Sequence, residues 1–141
     1  MKLLRYAWAF PVTALGLLAA LLTLGTGGEI ERRQGTLEVH GGFARWFLRY
    51  LMGAQAMALG HVILGDAPWD LHAYRVHERV HVRQCEQWGP LFLPAYALAS
   101  LWAWARGGHY YRDNWFEIGA QRAEWAERAE RAAGTSPLPP S

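Results

Sequence analysis

Residues 77–81 read His77-Glu78-Arg79-Val80-His81, the pattern H-E-x-x-H. Side chains four apart share one face of a helix, so both imidazoles can reach a single zinc ion. The glutamate between them lies beside such an ion, placed to act on an activated water rather than to bind the metal. The plain alternative is a surface helix with two solvated histidines. A catalytic zinc also needs a third protein ligand and an open position. One class takes a glycine three residues after the motif and a histidine six after. Those positions are Gln84 and Gln87 here, which excludes that class. The remaining option is an acidic residue from a later helix. Glu86 points about 140° around a helix from His81. Downstream, Glu117 stands out in Asp113-Asn114-Trp115-Phe116-Glu117-Ile118-Gly119-Ala120, with Asp113 in reserve. Asn114-x-x-Glu117 also reads as a capping box, in which the glutamate would return to the Asn114 backbone instead of binding metal.

These residues need elements to hold them. Residues 69–88 read as a helix, stopped by Gly89-Pro90. Residues 91–105 form an apolar helix with Pro94 in its first turn, and residues 114–133 a third helix rich in Ala, Glu and Arg. Ahead of them, residues 35–42 alternate Leu37 and Val39 against Glu38 and His40 and read as a strand. Residues 43–52 carry aromatics at helical spacing. Residues 56–64 read as one further strand containing His61. Residues 134–141 read as a disordered tail. The class is α+β.

Residues 6–28 contain no charge and are rich in Leu and Ala, with Tyr6, Trp8 and Phe10 at the front. A helix crosses a bilayer with about 20 apolar residues. Residues 1–28 therefore read as a single-pass membrane anchor or a signal segment ahead of a domain over 29–133, a layout that places that domain outside the cytoplasm, with a buried core helix as the remaining alternative. Residues 87–105 also lack charge, but Gly89, Pro90 and Pro94 interrupt them. That stretch is expected to fold back on the H-E-x-x-H helix, or to lie in the membrane interface, rather than to span.

Composition narrows the function. Net charge is +2, and the basic residues are spread along the chain, which argues against nucleic acid as a partner. A single cysteine, Cys85, permits neither an internal disulfide nor a Cys-based zinc finger. Eight Trp suit a chain with an apolar side and a wet side.

An H-E-x-x-H helix followed by a helix bearing E-x-x-A resembles the gluzincin zinc metallopeptidases. With the apolar start, it looks most like the membrane-bound CAAX prenyl-protease type. The resemblance covers residues 76–121. It implies a minimal zincin-like domain, zinc held by His77, His81 and Glu117, Glu78 as general base, and a peptide or protein substrate. The aspartate that ends E-x-x-A-D in the family is Gln121 here, which can accept an imidazole N–H bond but makes the histidine less basic. His109, Tyr110 and Tyr111 precede the Glu117 helix, where a donor could stabilise an oxyanion; ordinary turn residues are the alternative. Gln84 and Trp88 share the histidine face. His61 reads as a hydrogen-bonded, half-buried residue, while His40 and His72 carry no signal. Two rivals remain: a metal-binding protein without activity, and a metal-free membrane scaffold that binds lipid or a partner protein.

Overall fold

The computed structural model describes residues 1–134; of the tail expected over 134–141, everything from residue 135 onward lies outside the described residues. The architecture is α+β, with a four-stranded mixed sheet in the order β1-β2-β4-β3. Strands β1 (Glu29–Arg33) and β2 (Thr36–His40) form a hairpin. Gln34 and Gly35 turn it with φ of 46° and 85°, the left-handed pair that a tight hairpin requires. Strand β1 was not anticipated. It is an edge strand with four of five residues exposed, so it has no apolar alternation to read.

The strand expected over 56–64 is instead a hairpin of β3 (Ala56–Leu59) and β4 (Val62–Gly65). Gly60, at φ 61°, reverses the chain, and His61 sits in the turn rather than in a strand. A Cβ at Gly60 would collide with Thr13, so the turn needs glycine for both conformation and space. Strand β4 pairs in parallel with β2. The connection between them runs through α2 (Gly42–Trp46), π-helical turns at Phe47–Met52, and β3.

Helix α1 (Lys2–Gly25) is long and apolar enough to cross a membrane, a test that signal sequences and buried core helices also pass. One face of it is small: Ala9, Val12, Gly16, Ala19, Ala20 and Thr23 are buried. That face lies on the β3–β4 hairpin and on α2. A Cβ on Gly16 would stand 2.5 Å from the Leu59 carbonyl oxygen. Hydrogen bonds follow the contact along the helix. Trp8 Nε1 donates to the Gln87 carbonyl at 3.3 Å, and the His61 N–H donates to Thr13 Oγ1 at 3.2 Å. The first N–H groups of α2 have no partner within their own helix. Thr26 Oγ1 accepts from Phe43 N at 2.7 Å and Thr23 Oγ1 from Ala44 N at 3.1 Å. Residues 1–28 and 29–133 thus share one core, which joins α1 to Val39, Leu48, Val62, Leu64, Cys85, Phe92 and Phe116.

Helices α3 (Pro68–Trp88), α4 (Phe92–Ala105) and α5 (Trp115–Ala132) follow. Pro68 starts α3 and Gly89, at φ 58°, ends it. Glu38 on β2 is almost wholly buried and ties α3 to the sheet through two bonds from Arg75: Nε to Oε1 and Nη2 to Oε2, both at 2.8 Å. Helix α4 has 14 residues, about 21 Å against a hydrocarbon core of about 30 Å. It folds back, as expected, and packs Phe92 and Tyr96 against His81 and Phe116.

Candidate metal centre

The buried stripe of α3 is Leu71, His77, Glu78, His81, Val82 and Cys85, so the H-E-x-x-H side chains point inward rather than to solvent. The two imidazoles stand 5.0 Å apart at 72°. Helix α5 supplies the third group. His77 Nε2 lies 3.0 Å from Glu117 Oε2, and His81 Nε2 lies 3.2 Å from Glu117 Oε1. One donor atom from each of the three residues falls within 4.8 Å of the others, and all three side chains are buried. This buried cluster could hold a metal ion.

The start of α5 explains why Glu117 is free for this role. Asn114 caps the helix, its Oδ1 accepting from Phe116 N at 2.9 Å. Its Nδ2 donates to the Tyr96 carbonyl and to Ser100 Oγ, which pins the cap to α4. Glu117 does not complete a capping box; its carboxylate turns to the histidines and accepts from the Tyr96 hydroxyl at 2.6 Å. Burial alone would raise the Glu117 pKa. Hydrogen bonds from His77, His81 and Tyr96 outweigh that and hold the carboxyl well below the usual carboxylate range. Burial, followed by the Glu117 carboxylate, raises both Tyr96 and Tyr111, so both phenols remain donors.

The tautomer of His81 follows from its neighbours. Gln84 Nε2 donates to the Phe116 carbonyl at 3.0 Å, so its Oε1 is the acceptor that faces His81 Nδ1 at 2.8 Å. Nδ1 therefore carries a proton, which leaves Nε2, 3.2 Å from Glu117 Oε1, as the nitrogen that a metal would take. His77 has no equivalent bond: its Nδ1 is buried without a hydrogen-bond partner. Glu124 Oε2 approaches that atom at 3.5 Å. Gln121, the residue expected in this position, is not a partner of either imidazole.

Glu78 is also buried, and its Oε2 has no hydrogen-bond partner. Burial raises its pKa, against the charges of the two histidines and the Ala58 backbone bond. Two imidazoles and a carboxylate are a donor set that could hold a metal ion, and the buried Glu78 neighbours His77 on the same helix. The other expected residues lie outside the cluster. Asp113 accepts from His109 N in the loop, and His109 Nδ1 accepts from Tyr111 N and Arg112 N. Tyr110 stacks on His109 and is exposed. Of that loop, Tyr111 comes near enough to Glu117 for the carboxylate to raise its phenol. His61 is hydrogen-bonded, as expected, but fully buried: Nε2 lies 2.9 Å from Glu86 Oε1 and Nδ1 3.2 Å from Thr13 Oγ1.

Sequence reasoning missed Tyr96 and Glu124. Glu124 follows Glu117 by two helical turns, a spacing that places both on one face. Tyr96 comes from a separate helix and leaves no local signal. No protein-family model matches the chain, and no curated protein or solved structure matches it.

Proposed function

We propose that the chain is a membrane-associated zinc metallopeptidase that hydrolyses peptide bonds. The observation that carries this reading is the convergence of His77, His81 and Glu117, with Glu78 beside them and its Oε2 without a hydrogen-bond partner. A borderline-soft ion with two nitrogens and one oxygen around it fits zinc. When bound there, zinc supplies a Lewis acid that polarises a substrate carbonyl and makes water acidic enough to lose a proton near neutral pH. Glu78 takes that proton on its unpartnered oxygen and returns it to the leaving amine. Its raised pKa makes it a stronger base for the first transfer. Gln84 holds His81 in the binding tautomer. The Tyr111 hydroxyl, at a half-open position, supplies a donor for the oxyanion.

The test is metal content and peptide cleavage together. The purified protein is expected to carry one zinc, and His77→Ala or His81→Ala to lose it. Glu78→Gln is expected to retain zinc and to lose cleavage by about 100-fold or more. Equal zinc in wild type and both histidine variants overturns the metal site. Zinc without cleavage in the wild type, across peptide and prenyl-peptide libraries, assigns the site to metal binding alone.

A further inference from the structure

We infer that α1 lies in the plane of an anionic phospholipid bilayer, with its outer face in the acyl chains, and does not cross it. This inference concerns placement and does not rest on the metallopeptidase reading. The inner face of α1 is occupied over almost its whole length. Contacts run from Trp8, bonded to Gln87, to Thr26, bonded to Phe43. At 1.5 Å per residue that run is about 27 Å, close to the full hydrocarbon thickness of about 30 Å. What occupies it cannot enter hydrocarbon. The partners include the buried His61, with Glu86 Oε1 2.9 Å from its Nε2, and a sheet whose outer strand β1 is exposed at four of its five residues. Exposed sheet edges and ionic groups are not tolerated among lipid chains. To cross, α1 would have to leave the domain and strand the N–H groups of Phe43, Ala44 and His61.

The outer face fits lipid. From Phe10 through Leu15, Leu18, Leu21 and Leu22 to Leu24, it is exposed and entirely apolar. It offers no hydrogen-bonding side chain. A protein partner would normally find about one hydrogen bond per 100–200 Å² and anchor on Trp, Tyr or Arg, with Leu under-used. Acyl chains need none of these. Lys2 and Arg5 stand at the N-terminal end, and no acidic residue occurs before Glu29, which complements anionic headgroups.

The experiment uses the full chain in a Cys85→Ala background, with Lys2→Cys or Glu31→Cys as single labelling sites in cell membranes. An impermeant maleimide is expected to label both from the same side, with the protein sedimenting with the membrane. Purified protein is expected to bind phosphatidylcholine vesicles more tightly when they contain phosphatidylglycerol. The exposed double variant Leu18→Gln/Leu21→Gln should weaken that binding by about 100-fold while zinc content stays unchanged. Labelling from opposite sides shows a spanning helix and overturns the inference. So does same-side labelling without vesicle binding, whether α1 then proves a water-exposed helix or the seam of a dimer.

Discussion

His77 and Glu124 face each other across the α3–α5 contact, with Nδ1 and Oε2 3.5 Å apart. Nδ1 is otherwise unpartnered, and Arg128 Nη2 holds the other carboxylate oxygen, Oε1, at 2.5 Å. With Nε2 engaged by a metal, Nδ1 must carry the proton, and Glu124 is the acceptor in reach. Glu124→Ala is expected to weaken zinc affinity by about 10–100-fold. Gln121→Ala should leave it within about two-fold, since Gln121 bonds neither imidazole. Chelator competition measures both, independently of any substrate.

Glu38 carries a buried charge whose main partner is Arg75. Among the described residues, Arg75→Ala would leave Arg33 Nε, at 4.0 Å, as the ion-pair partner. The expected loss of stability is about 3–5 kcal/mol, most of it the cost of an uncompensated buried carboxylate. Replacing both residues with methionine should cost less than Arg75→Ala alone, because neither charge is then buried. Urea unfolding of the three proteins measures the order.

Burial pushes the Cys85 thiol up to about 11 from its ordinary 9.0. Between those values the folded protein keeps a proton that the unfolded chain has lost. Stability therefore falls as pH rises from about 9 and levels off above about 11. Cys85→Ala should flatten that part of the curve. At neutral pH the buried thiol should resist iodoacetamide until the protein is unfolded.

Gly16 is where the backbone of α1 touches the sheet hairpin. A methyl group there meets the Leu59 oxygen at 2.5 Å and Val62 Cβ at 2.7 Å. Gly16→Ala should cost about 1–3 kcal/mol despite the better helix propensity of alanine. Gly25→Ala, with nothing within 4 Å, should be neutral or stabilising. Thermal melts of the pair report whether α1 docks in solution as it does here.

The parts legible in the sequence were those with a local period. The histidines, the Glu117 helix start and the helices over 69–88 and 91–105 each show a pattern within a few turns. Strand β1 escaped because an edge exposed on both faces has no alternation. The 56–64 segment was misread because its residues are buried on both sides of the turn, so Gly60-His61 is a break of just two residues in an apolar run. Choosing between cap and ligand for Glu117 needed Tyr96, which arrives from another helix. The docking of α1 could not be decided because a run of leucines reads the same whether lipid or protein covers one side.

The donors of the centre lie far apart along the chain: Glu117 comes 40 residues after His77. At about 5–20 residues per second of synthesis, the two histidines wait about 2–8 s for their third partner. During that interval a nascent chain holds two of the three donors, on a helix whose covering helix has not yet been made. Any metal the cluster takes is therefore taken late, after α5 has been made, and the site is complete only when most of the chain is already folded around it.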